Sequence, residues 1–362
     1  MSFKTSLYDK HLALKAKMAP FAGFEMPIQY TSVKEEVLAV RNAVGIFDVS
    51  HMGEFFVEGK DAVLFVDSLI PNDFKNAELK KAVYSPLCRE DGTMIDDLIA
   101  YKLSEERVMI CVNASNIEKD WNWISGQKRE FACTLTNQSN DFSLVAIQGP
   151  GAEQSLLKLG LLNESELNFP YYSILEKTID QQKLIIARTG YTGEDGFEIF
   201  ASHQSILKIW DQSMEIGITP CGLAARDVLR LEVCYPLYGH ELNDQVNPYD
   251  SGLAWTVKLQ KPQFIGKSAL EKVFQEKSKL QLVKLALAKG IPREGYAVTN
   301  ERHETIGTVT SGTMSVVLNK GIALALIEKN KMPNDKKFFI TIRNQQYPAE
   351  YLTKPFVTGG HK

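Results

Sequence analysis

The chain has 362 residues, enough for two or three domains with a core each. It is 44% apolar and 23% charged, with a formal net charge of -3, an ordinary composition for a soluble globular protein that gives no reason to expect nucleic acid as a partner. No apolar run reaches the length of a membrane span.

MSFKTSLYDKHLALKAKM has no long apolar core and no arginine bias, so it reads neither as a signal peptide nor as a transit peptide, and a cytoplasmic setting is expected. Residues 32–45 open on Ser32-Val-Lys-Glu35, a capping box, and close at Gly45. With Val33, Val37 and Val44 near one face, they predict an amphipathic helix. IFDVSHMGEFFVEG, 46–59, predicts a strand region, and KDAVLFVDSLI a helix stopped by Pro71. A hairpin is predicted from 82–88 and 94–103 across REDGT, then a strand at 108–114. Ser115 caps a helix with Glu118 in the capping-box position and Ile117, Trp121 and Ile124 as its stripe. The block from 52 to 135 therefore reads as an antiparallel sheet with helices on one face. SLVAIQGPG, 143–151, is a strand and a turn into a helix at 152–159. Strands at 183–189 and 196–200 flank GYTGED. Ser202 starts a helix bearing Ile206, Ile209 and Trp210, another helix spans 222–233, and FIGKSALEKVF is a helix capped by Ser268 with Glu271. From 280 onward, short strands with turns at roughly eight-to-twelve-residue spacing predict an all-β barrel or sandwich.

DGTMIDDLIAYKL, 91–103, is a turn and an apolar strand that nevertheless carries adjacent carboxylates. Period-two alternation puts Asp97, Ile99, Tyr101 and Leu103 on one face, and Asp96, Leu98, Ala100 and Lys102 on the other. Either the pair is the wet end of a strand, or one member stands at the floor of a pocket walled by Ile99 and Tyr101.

TGYTGEDGFE, 189–198, lacks the Gly-Lys-Ser/Thr ending of a P-loop, and strands flank it where a dinucleotide fingerprint needs a strand and a helix. Its glycines allow a tight bend and close approach to a ligand, with Tyr191 on the tip and Glu198 on the return. A plain hairpin also explains the glycines. In GLAARDVLRLE, Arg226 and Arg230 share a face of a largely apolar helix. Their partners are either Asp227 or Glu232, or a ligand carboxylate gripped by the guanidinium fork. YPLYGHELN adds Tyr235, Tyr238 and His240, the last a structural histidine or a base. Five cysteines without zinc spacing read as small buried hydrophobes in a reducing compartment. Cys221, just before a helix, is the one candidate for an activated thiolate. Together these groups suit a flat heterocycle carrying carboxylates rather than a metal. Asp97 suits ring N–H groups, Tyr84, Tyr101, Tyr191 and Trp255 suit stacking, and Arg226 suits a tail carboxylate.

LYDKHLALKAKMAPFAGFEMPIQY, VGIFDVSHMGEF, DGTMIDDLIAYK, VNASNIEKD, IQGPGA, RTGYTGEDGFE, GLAARDVLRLE, YGHEL, FIGK, TSGTMS and IALA follow in that order. Through them the chain resembles, over 5–358, the glycine cleavage T-protein (aminomethyltransferase) family. The resemblance implies an α+β fold of three domains in a clover-leaf ring. These are a discontinuous antiparallel α+β domain over 1–50 and 140–279, a ferredoxin-like α+β domain over 51–139, and a C-terminal β-barrel over 280–362. The first two are implied to bind folate. The implied reaction moves the carbon of an aminomethyl group from the lipoyl arm of H-protein to tetrahydrofolate, a co-substrate. Its products are 5,10-methylenetetrahydrofolate, ammonia and dihydrolipoyl H-protein. No metal, no redox cofactor, no membrane and a monomeric chain are implied. The family's essential aspartate matches Asp97, with Asp96 in a supporting role. Tyr84, Ile99, Tyr101 and Asn113 match residues around the pterin, and Met52 and Phe56 its apolar wall. Tyr191, Glu198 and Arg226 match polar groups around the folate, Arg226 toward its glutamate carboxylates, with Tyr235 and Trp255 as neighbours. Phe24 stands where the family usually has tryptophan, and TSGTMSVVLNK lacks the usual SPTLG form. Alternatives are a folate-dependent demethylase on the same fold and a non-catalytic folate-binding protein. Intact RTGYTGEDGFE beside Asp96-Asp97 disfavours the first, and retention of Asp97 the second.

Overall fold

The computed structural model describes residues 2–360. Three sheets carry the architecture, with a small N-terminal sheet beside them in the order Phe3–Lys4, Phe24–Gln29, Lys17–Phe21. A six-stranded sheet runs Ile174–Ile179, Gln182–Ala187, Gly196–Ala201, Ser143–Gln148, Gly45–Asp48, Thr219–Pro220. It is antiparallel except at its last pair. An all-antiparallel five-stranded sheet runs Ala82–Cys88, Met94–Ser104, Arg107–Val112, Gly53–Glu58, Thr134–Asn137. Its last four strands have the ferredoxin-like order, with Ala82–Cys88 added at the edge as the outer arm of the expected hairpin. Six strands between Leu280 and Leu352 close into a barrel, because Leu280–Leu287 pairs with both Gly321–Glu328 and Gln345–Leu352.

Alternation along the strands decides which core each side chain joins. Tyr101, Leu103, Met109, Cys111 and Phe56 leave one face of the five-stranded sheet. They pack with Phe47, Ala146, Ala187 and Phe200 of the six-stranded sheet, sealed by Val37 and Val40 of one helix and Ala225 and Leu229 of another. The opposite face, with Leu98, Ala100, Ile110 and Val112, is covered by helices Ala62–Leu69 and Ile117–Gln127. The outer face of the six-stranded sheet packs against Leu156, Ile206 and Trp210 of its own helices. A buried chain ties the N-terminal segment down: Tyr30 Oη meets His11 Nδ1 at 2.8 Å, His11 Nε2 meets Asp48 Oδ2 at 2.9 Å, and Thr5 Oγ1 donates to the same oxygen at 2.7 Å. Burial alone raises the Asp48 carboxyl, but His11, Ser50 and Thr5 hold it below its ordinary value.

Several local expectations differ from the structure. The 46–59 region is two strands, Gly45–Asp48 and Gly53–Glu58, which belong to different sheets. The helix expected over 32–45 is Val33–Asn42, capped by Ser32, and Gly45 does not end it; a short helix, Tyr8–Ala13, precedes it. A Cβ at Gly45 would meet Cys221 Sγ and Val40 Cγ2 at 2.7 Å, so close packing of that strand on the helix requires glycine. Ser115 lies in a 3₁₀ turn, Ala114–Asn116, ahead of the helix it was expected to cap. Ser268 lies inside Lys267–Glu276, whose cap is Gly266 at φ 87°. Strands Thr134–Asn137 and Ile174–Ile179, both rich in polar residues, were not expected.

Candidate functional site

The two sheets that share a core do not meet everywhere. On the Met94–Ser104 strand, Leu98, Ala100 and Tyr101 are buried, yet Asp97 and Ile99 remain partly accessible. Met52, Tyr84, Asn113, Tyr172, Tyr191, Arg226 and Tyr235 are half-buried in the same way. These residues outline a recess between the sheets, walled by Met52, Ile99 and Tyr172 at the margin of the shared core.

Asp97 is the carboxylate in that recess. Tyr84, cross-strand from Ile99, donates its hydroxyl to Asp97 Oδ2 at 2.9 Å, and Asn113 Nδ2 donates to Asp97 Oδ1 at 2.8 Å. Burial first and the charge of Asp96 second push the Asp97 carboxyl up to about 7, against those two hydrogen bonds. Asp96 points to the other face and is fully buried. It accepts Asn113 Nδ2 at 2.8 Å, Asn113 N at 3.2 Å and Asn116 Nδ2 at 2.7 Å. The strand therefore carries one carboxylate turned toward the recess and one turned into the protein. Trp255, exposed, stacks on Tyr84 with ring centroids 6.0 Å apart and planes at 22°, so it stands at the mouth above Asp97.

Across the recess the glycine-rich loop and the arginine helix meet. Gly196 pairs with Gln148 in the sheet, and Gly190 and Gly196 press on the Gln148 amide, which Nε2 ties to Thr189 O and Oε1 to Thr192 Oγ1. Only Gly193, at φ 79°, needs the left-handed region. The loop is thus a braced hairpin whose glycines give room for a side chain of its own neighbour strand. Its Tyr191 hydroxyl bonds to Pro236 O and its ring lies 5.9 Å from that of Tyr235. Glu198 is buried and accepts Thr189 Oγ1 at 2.5 Å. The Tyr101 hydroxyl lies beside Glu198 and Thr189.

The two arginines part company. Arg230 is consumed by the fold: it binds Asp227, Glu241, Tyr235 O and Ser311 Oγ. Arg226 stands 4.8 Å over the Tyr191 ring, and its buried Nη1 has no hydrogen-bond partner among the described residues. Burial pulls its guanidinium down from its ordinary value, and Glu198 and Tyr191 oppose that. Glu232, the other sequence candidate, is held by Arg41 at 2.9 Å. A buried donor without a partner, facing a recess, is a place for an oxygen of a ligand. Phe56 is buried in the shared core, stacked 5.6 Å from Phe142, and does not reach the recess surface.

Sequence reasoning did not single out His51, Glu54, Asn116 or Asp120. All four are buried. His51 is pulled down to about 4 by burial, with Asp48 opposing and Arg226 adding, and Glu54 is raised well above its ordinary value by burial. His51 and Glu54 showed only as polar letters in an otherwise apolar strand region, and Asn116 and Asp120, in a polar turn and helix, gave no local signal. Cys221 is buried, donates to Thr219 O at 3.4 Å, and its thiol is pushed well above its ordinary value by burial and then by Glu36. His240 meets Thr310 O at 3.2 Å and Glu294 at 3.3 Å, away from the recess. Among the described residues no group of His, Cys, Asp and Glu is arranged to hold a metal ion, and no helix is long and apolar enough to cross a membrane.

Residues 7–261 match the family model of the GCVT N-terminal domain, and residues 281–358 that of the glycine cleavage T-protein C-terminal barrel domain. An aminomethyltransferase of Thermosipho melanesiensis is 47% identical over 360 residues, covering 99% of this chain and 98% of that protein. One from Thermotoga maritima is 45% identical over 361 residues, covering 98% of each. The crystal structure of glycine cleavage system aminomethyltransferase T from Bartonella henselae aligns with a TM-score of 0.93 at 30% identity, over 100% of this chain and 99% of that one.

Proposed function

The chain belongs to the glycine cleavage T-protein family, and from that premise we propose the reaction it carries out: tetrahydrofolate-dependent transfer of an aminomethyl carbon. The donor is the S–CH2–NH3+ group on the dihydrolipoyl arm of H-protein. Folate N5 and N10 each form a bond to the carbon, its bonds to nitrogen and sulfur break, and the two N–H protons are lost. One goes to the thiolate, giving dihydrolipoyl H-protein, and the other to a base; ammonia leaves with the three hydrogens it already carries. The carbon starts and ends at the formaldehyde level, so the chemistry balances without an oxidant.

One observation carries the reading: Asp97, in a recess yet with its carboxyl raised to about 7, is poised between carboxylate and acid at neutral pH. As carboxylate it accepts a folate N–H, favours the cationic iminium-like state by its field, and takes the proton released as the ring closes. Tyr84 and Asn113 orient it. Ile99, Tyr101, Met52 and Phe56 form or back the apolar wall for a pterin, with Tyr191, Tyr235 and Trp255 toward the mouth. Glu198 suits ring N–H groups. Arg226 Nη1, buried as it is, suits an oxygen of the ring end better than a tail that must reach solvent. Sheet membership also supports three units, 1–50 with 140–279, 51–139 and 280–362. The test is turnover with aminomethylated lipoyl H-protein and tetrahydrofolate, reading ammonia and 5,10-methylenetetrahydrofolate together. Protein that binds folate and forms neither product refutes the transferase reading.

A further inference from the structure

Asp120 lies in the first turn of helix Ile117–Gln127, fully buried, and no protein N–H or O–H reaches either of its carboxyl oxygens. Its hydrogen-bonding neighbour is another carboxylate, Asp96. Two carboxyl groups in such contact cannot both be ionised. The donors decide which one holds the proton. Asp96 receives three N–H groups, from Asn113 N, Asn113 Nδ2 and Asn116 Nδ2, whereas Asp120 receives none. A carboxylate left without donors in the interior is costly, so the proton sits on Asp120 and is donated to a charged Asp96. Lys119, next in the chain, does not alter this: its ammonium goes to the Tyr238 hydroxyl at 2.9 Å and toward Asp244.

The pair is wired to the recess by one amide. Asn113 Nδ2 has two hydrogens and three acceptors within reach: Asp96 Oδ1 at 2.8 Å, Asp97 Oδ1 at 2.8 Å and Asp97 O at 3.2 Å. How that amide is shared depends on how strongly Asp96 accepts. We propose that Asp120 is a positioning residue for the transfer reaction, a neutral acid that keeps Asp96 charged and, through Asn113, holds the Asp97 carboxylate in its working orientation. The inference rests on the reading of Asp97 given above. Without the Asp120 proton, Asp96 takes one itself. A protonated Asp96 no longer accepts both Asn113 bonds, and Asp97 loses its orienting donor. The Asp96 charge that raises Asp97 is then gone, so Asp97 ionises at lower pH but without its orienting donor. The other groups facing the pair are Tyr84, Tyr172 and Tyr191 toward Asp97, and Tyr238 and Cys111 toward Asp96. None of these is expected to titrate at neutral pH, since burial raises each of them.

Two variants separate positioning from packing. Asp120→Asn keeps the shape and an N–H donor to Asp96; Asp120→Ala removes the donor. The full-length protein is assayed by rate–pH profile for the transfer, by thermal unfolding, and by carbon-13 NMR titration of labelled aspartate carboxyls, which needs no turnover. The expected result is an aspartate carboxyl that stays protonated through neutral pH in the parent, is absent from Asp120→Asn, and is replaced in Asp120→Ala by a protonated Asp96. Asp120→Asn keeps the rate within about threefold, whereas Asp120→Ala loses about tenfold or more at neutral pH through misorientation, with the acidic limb and the Asp97 titration both moved downward because the Asp96 charge is gone. Parent-like Asp97 titration in Asp120→Ala overturns the proposal, as does equal impairment of both variants with an unmoved limb. If the parent binds folate but transfers nothing, the reaction reading has failed while the NMR titration still decides the role of Asp120.

Discussion

The Tyr84 hydroxyl donates to Asp97 Oδ2 at 2.9 Å, and this bond opposes the burial that lifts the Asp97 carboxyl. Tyr84→Phe removes the donor and keeps the ring that stacks with Trp255. The carboxyl then rises above about 7, so less carboxylate is present at neutral pH. The acidic limb of the rate–pH profile is expected to move upward, with a loss of about tenfold at pH 7 that recovers in alkaline buffer. An unmoved limb would show that the phenol does not tune Asp97.

Asp97→Asn is expected to lower the transfer rate about a hundredfold or more and yet to stabilise the fold above neutral pH. The folded-state value of this carboxyl is raised, so the folded protein holds the proton more tightly than the unfolded chain. That contribution is complete below about pH 4 and declines as pH rises through about 7. The amide has no such decline. Urea unfolding at pH 5 and pH 8 should show the variant's advantage growing to about 1–3 kcal/mol at the higher pH. Parent-like turnover would remove Asp97 from the chemistry.

Arg226→Ala is expected to weaken tetrahydrofolate binding by about 2 kcal/mol or more, with a smaller loss of folded stability from its contact over the Tyr191 ring, because the buried Nη1 has no protein hydrogen bond to lose. Calorimetric titration with a reduced pterin lacking the glutamate tail locates the contact. Equal losses for the two ligands place it at the ring. A loss confined to the full ligand places it at the tail carboxylates, and no loss for either leaves Arg226 a structural group.

Cys221→Ser is expected to keep full activity per folded molecule, since the thiol is shut in between Glu36 O and Thr219 O and burial holds it protonated. The cost is a modest stability loss of about 1 kcal/mol, read by thermal unfolding. Complete inactivity in a folded, folate-binding variant would mean that the thiol takes part.

The strand 94–104 was legible because its alternation is local: each residue's face follows from its neighbours, and Asp97 fell with Ile99 and Tyr101 as the pattern required. The all-β character of the C-terminal part was legible from the spacing of its turns, which left barrel or sandwich open; closure depends on Leu280–Leu287 pairing with strands on both sides. The parting of Arg226 from Arg230 was not. Both sit on one helix face, and what separates them is Ser311 and Glu241, which are brought there by other segments. The split of 46–59 between two sheets was hidden for the same reason, since pairing partners from about fifty to about a hundred residues away leave no mark on a local pattern. Asp120 was not singled out because its meaning depends on Asp96 beside it and on the donors it lacks.

The location of those partners also sets an order of events during synthesis. Gly45–Asp48 finds its neighbours only at Ser143–Gln148 and Thr219–Pro220, whereas the five-stranded sheet draws every strand from between Gly53 and Asn137. At roughly 5–20 residues per second, the five-stranded sheet is complete once Asn137 has emerged, while the early segment waits several seconds more for the last strand of its own sheet, which ends at Pro220. Nascent chains halted before Ser143 has emerged should resist protease between 53 and 137 and be cut freely ahead of residue 48. The wall bearing Asp97 is therefore folded before the wall bearing Glu198 and Arg226 has been translated.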